Sequence, residues 1–370
     1  MAMSDRSKYW LKFLLSLGLG GFFLYLAVDS LGGCPEGREC VNGLCQSATD
    51  ACDAATCRNC VDWATFPSRL SEVSVAGLAL FSLGFLFVHC IRIWRWYYLL
   101  RPLGLNQFKP ALKAGAIGLA AIVIIPLRLG ELVRPYLISR DTKIGMSAAL
   151  GTAVVERVVD GLLVTLMLFV TLAIVPSRGD APGVVYTAGT ISALVFSGVM
   201  AVLLFSWWQR AATTRVLRTI GNRISTRLTE KALGLLDGFL DGVAALRAGG
   251  DLYRFLGTTL LYWAVNGATL TYLANVFGLE LNLWEGYAVT SLLVIGIMVP
   301  GGPGHIGTFE FFLQTGLALF IAVDQIPGPV LAFIATLHVL QFLIQVIFGA
   351  PFWLLDGLDL KKALASADPD

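Results

Sequence analysis

The stretch that decides the fold is Val299–Gln314, VPGGPGHIGTFEFFLQ, which lies in one of the most apolar parts of the chain. It combines a Pro–Gly breaker run with two ionisable residues, His305 and Glu310. In hydrocarbon, a broken helix exposes backbone N–H and C=O groups, and an ionisable side chain is costly to bury. A chain tolerates both only where the segment is buried in protein or lines a wet cavity. The stretch therefore predicts a broken helix at a functional site inside a membrane protein.

A second stretch, Pro126–Glu131 (PLRLGE), echoes the PGHIG and Glu310 of the first. Both read Pro-x-(Arg or His)-(Leu or Ile)-Gly with a carboxylate just beyond. The apolar segment before the second stretch, Ala114–Ile125, is too short to cross a bilayer alone. We therefore expect Lys109–Lys143 to enter and leave the membrane on the cytoplasmic side. The first stretch is expected to do the same from the outer side, within Trp284–Phe320.

The apolar segments that flank these two hairpins run in opposite directions through the membrane. The predicted fold class is an all-α polytopic membrane protein with about six full spans and two re-entrant helix hairpins, arranged as an inverted repeat. Many transporters have this architecture, because a flipped pair of units can open alternately to each side. The predicted spans are Trp10–Leu31, Ser74–Trp96, Ser147–Val175, Val184–Trp208, Leu252–Phe277 and Val330–Leu355.

The composition excludes an ordinary soluble protein. Of 370 residues, 56% are hydrophobic and only 14% are charged, whereas soluble domains are about 25% charged. The sequence has no Gly-rich nucleotide loop after a strand, no His-Glu-x-x-His and no Gly-x-Ser-x-Gly motif. It therefore predicts neither a cofactor nor a metal, and it favours a transporter over an enzyme.

Six of the seven cysteines lie in one short polar loop, which predicts a disulfide framework in an oxidising compartment. A zinc site is the alternative, but the loop has no His and only its last two cysteines have close ligand spacing. The predicted disulfide residues, whose pairing the sequence leaves open, are Cys34, Cys40, Cys45, Cys52, Cys57 and Cys60.

The chain divides into four predicted regions. Residues 1–31 form a membrane anchor rather than a cleaved signal peptide, since the apolar run is about twenty residues long. An extracytoplasmic Cys-rich loop (32–71), a transmembrane domain (72–356) and a cytoplasmic tail (357–370) follow. Within the domain, the amphipathic, cytoplasmic segment 208–250 is predicted either to lie on the inner membrane surface or to pack under the bundle. Most Lys and Arg residues then face the cytoplasm, as the positive-inside rule requires.

Ionisable groups inside the apolar zone usually face the bundle interior and pair with one another. Arg128 and Arg134 flank a helix break, where freed N–H groups and guanidinium groups suit a phosphate; for Arg134, snorkelling to the surface is the alternative. The cluster at 156–160 is predicted either to be a packing ion network or to bind substrate. The predicted substrate-binding residues are Arg128, Gly130, Glu131, Arg134, Glu156, Arg157, Asp160, Gly304, His305 and Glu310.

Other polar groups in apolar segments receive structural interpretations. The run Arg92–Tyr98, in which aromatic residues alternate with arginines, is typical of a membrane–water boundary and predicts an interfacial anchor. His89, His338, Gln341 and Gln345 are predicted to form interhelical hydrogen bonds rather than to bind a ligand.

Three ordered motifs carry a family resemblance. They are PLRLGELVRPYLISR at 126–140, ALGTAVVERVVDGLL at 149–163 and the Pro–Gly run before Glu310. With these motifs the chain resembles the lysylphosphatidylglycerol synthase transmembrane-region family, also described as flippase-like membrane proteins, over roughly residues 70–355. Family members are similar to the membrane half of enzymes that aminoacylate phosphatidylglycerol and move the product across the bilayer. The resemblance implies the translocating part without the synthesising part.

The predicted function is movement of an anionic or glycosylated phospholipid-type molecule between the leaflets of a cell membrane, in bacteria the inner membrane. A membrane-embedded enzyme acting on lipid-linked sugars or cell-envelope lipids, with Glu131 or Glu310 as general base, is the alternative. A third interpretation is an accessory subunit that docks through the Cys-rich loop. The expected partners are membrane lipids, with an envelope protein or a second copy of this chain as further candidates, and no nucleic acid.

Overall fold

The computed structural model describes residues 18, 21–26, 39–41, 44–46, 73–125, 130–175, 183–222, 226–244, 249–298, 303–321 and 327–357. Besides a helical segment at 21–26, eleven α-helices lie in this described part of the chain. They are α1 (Val75–Leu100), α2 (Phe108–Ile124), α3 (Val133–Asp141), α4 (Met146–Ile174), α5 (Gly183–Trp208), α6 (Arg210–Gly221), α7 (Thr226–Val243), α8 (Gly249–Val276), α9 (Leu283–Ile297), α10 (Thr308–Leu317) and α11 (Pro327–Asp356).

Four helices in the described ranges are long and apolar enough to cross a bilayer: Val75–Leu103, Met146–Ile174, Val185–Trp208 and Gly328–Asp356. All four coincide with predicted spans, so the helical, multi-pass character of the described membrane part of the chain is confirmed. The fifth predicted span is the 28-residue helix α8, which is not among these four. The total of about six spans therefore stays a prediction.

The first predicted hairpin consists of α2, with 17 residues, and α3, with nine. At 17 residues, α2 extends about 26 Å, which is less than the roughly 30 Å thickness of the hydrocarbon core of a bilayer. After the break, the chain returns along α2. A side chain at Gly130 would lie 2.2 Å from the carbonyl oxygen of Ala121, so only glycine permits this approach.

The second predicted hairpin consists of α9, with 15 residues, and α10, with ten. Helix α9 begins at a capping box, in which the Asn282 side chain accepts from the Glu285 N–H at 3.0 Å and Glu285 accepts from the Asn282 N–H at 2.8 Å. Helix α10 runs back along α9, and near its end Gly316 lies against the backbone of Val289. The 3₁₀ turn Pro303–His305 lies between the two helices.

The two hairpins exchange neighbours in the packed bundle. Helix α2 of the first hairpin packs against α11, which follows the second hairpin, and α9 of the second packs against α4, which follows the first. Helices α1 and α8, which precede the two hairpins, pack against each other. The turn Pro303–His305 contacts α2, so the two broken regions meet inside the bundle.

The amphipathic segment forms two helices rather than one. Helix α7 packs against the start of α4, and a side chain at Gly242 would lie 2.2 Å from the Ala148 carbonyl oxygen. Of the two predicted placements, packing under the bundle therefore describes α7. Arg210, at the start of α6, reaches Asp237 and Asp241 of α7 at 2.9 Å each.

The Cys-rich loop lies mostly outside the described residues, including Cys34, Cys52, Cys57 and Cys60. Its described part is an antiparallel pair of strands, β1 (Glu39–Val41) and β2 (Leu44–Gln46), in which Cys40 is the register partner of Cys45. The disulfide framework stays a prediction. Of the predicted N-terminal anchor, Phe23 packs on Phe311 of α10, with ring centroids 5.6 Å apart.

Candidate functional site

A buried ion network joins α1 to α4. Arg95 of α1 donates to both carboxylate oxygens of Asp160, at 2.5 and 2.6 Å, and to Glu156 at 2.8 Å. All three side chains are at most 2% exposed. A bidentate guanidinium–carboxylate pair is among the stronger polar contacts in proteins. The network therefore fixes the register of α1 against α4.

Two further arginines complete this network. Arg134 of α3 donates to Glu156 at 2.9 Å, and Arg157 contacts Glu156 at 3.2 Å and Asp160 at 3.4 Å. Arg134 is 6% exposed, whereas Arg157 is 24% exposed. The first hairpin is thus tied to α4 through Arg134, while Arg157 retains an open side.

Aromatic rings enclose the buried end of the network. The Arg95 guanidinium lies 4.4 Å from the Tyr262 ring centroid, and that of Arg134 lies 4.1 Å from the Trp96 centroid. The Trp263 indole N–H donates to Asp160 at 3.1 Å. Cation–π contacts strengthen where water is excluded, so these rings stabilise the buried guanidinium groups.

A cavity of about 940 Å³, a volume that includes its open mouth, lies beside this network. Helices α1, α4, α8 and α11 and both hairpins contribute to its wall. Its polar and ionisable lining residues are His89, Arg92, Arg157, Asp160, Tyr262, Trp263, Asn266, Thr290, His305, His338, Gln341 and Gln345. Apolar residues such as Phe85, Phe309 and Phe342 line the rest. A few convergent polar groups in an apolar wall are typical of a ligand pocket.

Arg92 is the cation of this cavity that the network does not neutralise. Its Nε atom is buried without a hydrogen-bond partner, and within the described residues no ion pair joins it to a carboxylate. Arg157, the neighbouring cation, shares its two carboxylates with Arg95. The wall between α1 and α4 therefore presents an excess of positive charge to the cavity.

On the opposite wall, His338 of α11 binds the second hairpin with both ring nitrogens. Nδ1 lies 2.6 Å from a carboxylate oxygen of Glu310, and Nε2 lies 2.7 Å from the Gly304 carbonyl oxygen. The other Glu310 oxygen accepts from the Gly307 N–H at 2.6 Å. The Phe309 ring stacks on the imidazole at 4.3 Å. The predicted interhelical hydrogen bond of His338 is confirmed.

The backbone of the second hairpin's turn is strained. Gly304 and His305 both have φ near +67°, and Gly307 has φ of +88°. A non-glycine residue in this region is uncommon and costs free energy unless the surroundings hold it. The contact from His338 to the Gly304 carbonyl is one such restraint.

A second charge cluster holds the far end of the first hairpin. Lys113 of α2 contacts Asp141 of α3 and, at 2.8 Å, Asp356 at the end of α11, and Arg140 reaches Asp356 at 2.7 Å. Burial alone would raise the pKa of the Asp141 carboxyl, but hydrogen bonds from Arg140 and Lys113 lower it below its usual value. The cluster anchors the hairpin at the bundle end opposite its break.

The predicted site residues fall into separate groups. The cavity wall includes Arg157, Asp160, Gly304 and His305, while Glu156 and Arg134 lie behind it in the ion network and Glu310 is bound to His338. Gly130 allows the chain after the break to lie close to the backbone of α2. Glu131 interacts electrostatically with Arg157. Arg128 lies outside the described residues.

Two interpretations of the sequence were wrong, that of His89 and that of the run Arg92–Tyr98. His89 forms no interhelical hydrogen bond in the described structure, since both of its ring nitrogens are buried without a partner. Arg95 does not sit at a membrane–water boundary, since it is fully buried and paired with two carboxylates. Arg92 also lines the cavity rather than the bundle's edge. The signal was present in the i, i+3 spacing of these two arginines, which places both on one helix face. The alternating aromatic residues concealed it.

No cluster of three or more metal-ligating side chains occurs among the residues that the structure describes.

The profile of the lysylphosphatidylglycerol synthase transmembrane-region family matches residues 58–349, most of the chain. The chain therefore belongs to this family. It is 21% identical over 300 residues to the glycosyltransferase AglD of Haloferax volcanii, a match that covers 73% of this chain and 47% of the relative. The chain thus matches about half the length of that relative. No solved structure matches the chain.

Proposed function

We propose that this member of the lysylphosphatidylglycerol synthase transmembrane-region family is a lipid translocase. Its substrate is an anionic or glycosylated phospholipid-type molecule, which it moves between the leaflets of the cell membrane. The headgroup enters the cavity between the two hairpins, and the acyl chains stay in the surrounding lipid. The chemistry is transfer between two sides, so no bond of the lipid is broken.

The observation that carries this proposal is the unneutralised Arg92 in the cavity wall. Removing a cation from water inside an apolar bundle is expensive unless a partner compensates it. The neighbouring Arg95 and Arg134 have carboxylate partners in the described structure, and Arg92 has none there. A phosphate or another anionic part of a lipid headgroup would pair with Arg92, with Arg157 as a second contact.

The rest of the cavity suits the remainder of a lipid headgroup. Asn266, Gln341 and Gln345 offer amide donors and acceptors for hydroxyl groups. Phe342 and Phe309 provide apolar surface beside them. A charged phosphate and an adjoining polar group fit these two parts of the wall.

The transport mechanism we propose rests on an inverted repeat of two units. One unit is α1, the first hairpin and α4, and the other is α8, the second hairpin and α11. The exchanged packing of α2 with α11 and of α9 with α4 is the pattern that a pseudo-two-fold axis produces. In this proposal the hairpins are re-entrant from opposite sides, both termini are cytoplasmic, and the cavity opens alternately to each leaflet.

The substrate roles that the sequence suggested for Arg128 and Glu131 stay predictions. For Arg134 and Glu156 we propose a positioning role instead. Arg134 and Glu156 are already paired with each other, so they position α3 and α4 rather than contact a headgroup. Arg157 is the member of that group with an exposed side toward the cavity. We therefore place the phosphate contact at Arg92 and Arg157.

Reconstitution in liposomes with headgroup-labelled phospholipids tests this function. The purified protein should accelerate leaflet exchange of labelled phosphatidylglycerol, and Arg92→Ala should slow it about tenfold or more, since hydrogen bonds to charged groups contribute about 1.5–3 kcal/mol. Arg92→Lys should restore part of the rate, because it keeps the charge and loses the forked geometry.

Arg210→Ala is the matched control, because Arg210 is a partly exposed arginine that pairs only on the amphipathic segment. It should leave the exchange rate unchanged. If the wild type accelerates exchange of no lipid class, or if Arg92→Ala equals the wild type, the proposed function is wrong.

A membrane-embedded enzyme acting on lipid-linked sugars is the second candidate. The similarity to a protein named as a glycosyltransferase favours it, and Glu310 is a carboxylate near the cavity. Product analysis after incubation with lipid-linked sugar donors separates the two functions. A translocase leaves every lipid chemically unchanged, whereas a glycosyltransferase produces a new glycolipid.

A further inference from the structure

The hydrogen bonds of His338 and Glu310 require one proton more than a neutral imidazole beside an ionised carboxylate would carry. The Gly304 carbonyl oxygen can only accept, so His338 Nε2 must donate to it across 2.7 Å. At the other ring nitrogen, Nδ1 lies 2.6 Å from a Glu310 carboxyl oxygen, and a proton must lie between these atoms as well.

Two distributions of protons satisfy this geometry. Either the imidazole is doubly protonated beside an ionised carboxylate, or a neutral imidazole accepts from a protonated carboxyl group. Both hold one proton more than a neutral imidazole beside a carboxylate. The Gly307 N–H, which donates to the second carboxyl oxygen at 2.6 Å, favours the ionised carboxylate.

Loss of this proton would remove one of the two hydrogen bonds. Two acceptor atoms would then face each other at 2.6 or 2.7 Å, either at Glu310 or at the Gly304 carbonyl. Since Gly304 and His305 are held in a strained backbone conformation, the turn of the second hairpin would lose a restraint from α11. That turn contacts α2, where the two hairpins meet.

We propose that Glu310 and His338 form a proton-binding site that couples lipid translocation to proton movement. With the proton bound, α11 holds the turn of the second hairpin, and the cavity stays closed at that wall. Release of the proton frees the turn and lets the wall move. The coupling rests on the proposed translocase function, whereas proton binding by the pair does not.

The charges around the pair determine when the proton is bound. The cavity presents His89 and Arg92 from α1, Arg157 and Asp160 from α4, Tyr262 from α8 and His305 from the turn itself. Arg92 and Arg157 repel a proton, and Asp160 is already paired with Arg95. An anionic headgroup that neutralises Arg92 would therefore favour protonation, which gives the substrate and the proton a physical reason to bind together.

Spectroscopy of the histidines tests proton binding independently of transport. The chain contains only three histidines, so ¹⁵N-histidine labelling gives few imidazole signals, and His338→Gln assigns one of them. We expect both ring nitrogens of His338 to be protonated at neutral pH. In Glu310→Gln, the imidazole should become neutral, because an amide can donate to Nδ1 without an added proton. A neutral His338 beside an ionised Glu310 in the wild type would overturn the proposal; the state of Glu310 is read from the carboxyl infrared band that Glu310→Gln removes.

Leaflet exchange measured between about pH 5 and 9, where imidazoles commonly titrate, tests the coupling. We expect the wild-type rate to vary up to about tenfold per pH unit outside its plateau, as for one titrating group, and Glu310→Gln and His338→Gln to have pH-independent rates. His89→Gln, which removes another cavity histidine, should keep the pH dependence. Exchange that is insensitive to pH in the wild type would overturn the coupling. If exchange is absent altogether while His338 is protonated, the translocase proposal fails and the proton site remains.

Discussion

Each hairpin consists of two helices joined by a break, but different polar contacts hold the two hairpins in the bundle. The first is fixed by charge at both ends: Arg134 ties it to Glu156 inside the bundle, and Lys113 and Arg140 tie its far end to Asp356 of α11. In the second, a histidine of α11 reaches Glu310 and the Gly304 carbonyl, and Tyr287 of α9 donates to the Ala264 carbonyl of α8 at 3.1 Å. The turn of the second hairpin also has two consecutive residues with positive φ, one of which is not glycine.

This difference indicates which side of the cavity can move. One buried ion pair and several partly exposed ones must break before the first hairpin shifts, whereas the turn of the second is freed when one side chain releases a carbonyl. In an inverted repeat, two equivalent hairpins would be expected to move alike. From the charge distribution we infer that the first hairpin is the fixed wall, beside the arginines that we propose bind the anion, and that the second is the mobile one.

The largest expected effect comes from the ion network between α1 and α4, to which Arg134 ties the first hairpin. Arg95→Leu leaves two carboxylates buried without their main partner, and breaking such a network costs about 3–5 kcal/mol. The variant should unfold at a much lower temperature in detergent than the wild type. His338→Gln should lose much less, because that side chain is 13% exposed and forms one ion pair. Equal losses in the two variants would show that the walls do not differ.

The turns of the hairpins provide the next comparison. Gly130→Ala places a methyl group 2.2 Å from a backbone oxygen that cannot yield, and such overpacking costs about 1–3 kcal/mol. At Gly304 the nearest atom to an added methyl group is a Phe342 ring carbon at 3.5 Å, so only the left-handed backbone resists, at about 1–2 kcal/mol. Thermal unfolding should show the larger loss for Gly130→Ala. The reverse order would contradict a rigid first hairpin.

Acid should weaken the far-end anchor of the first hairpin. Because the pKa of Asp141 is lowered in the folded protein, its contribution to stability is present above its unfolded value of about 3.9 and is lost as pH falls through the folded pKa. The melting temperature of Asp141→Asn should therefore vary less with acid than that of the wild type below about pH 4. Identical acid profiles would exclude this role for Asp141.

The smallest effect is expected on the amphipathic segment. Arg210 is 41% exposed and its partners are about half exposed, and exposed pairs contribute about 0–1 kcal/mol. Arg210→Ala should barely change the melting temperature, and high salt should reduce the difference further. If Arg210→Ala lowered the melting temperature as much as Arg95→Leu, the amphipathic segment would contribute as much to stability as the buried ion network.

The sequence predicted the hairpins because their signals are local. Pro and Gly breaks beside ionisable residues in apolar runs are uncommon enough to identify both turns, and the flanking spans follow from length and hydropathy. Of the two interpretations of the cluster at 156–160, the structure contains the ion network, which the shared helix face of Glu156 and Asp160 made possible, and substrate binding by the cluster stays a prediction.

What the sequence did not predict depends on contacts between distant segments. Arg95 and Asp160 are 65 positions apart, and the i, i+3 spacing of Arg92 and Arg95 shows only that they share a helix face, not what that face contacts. The pairing of Arg134 likewise depends on how α3 packs on α4. His338 was assigned a hydrogen bond, but its two acceptors become apparent only once α11 and the second hairpin are placed together.

Leaflet exchange of two labelled phospholipids in the same reconstituted vesicles tests the central claim most directly. The claim is that the cavity beside Arg92 accepts a negatively charged headgroup. We predict that the wild type exchanges phosphatidylglycerol faster than phosphatidylcholine, and that Arg92→Ala removes most of this preference while Arg210→Ala retains it. Equal rates for both lipids in the wild type, or an undiminished preference in Arg92→Ala, would contradict the account.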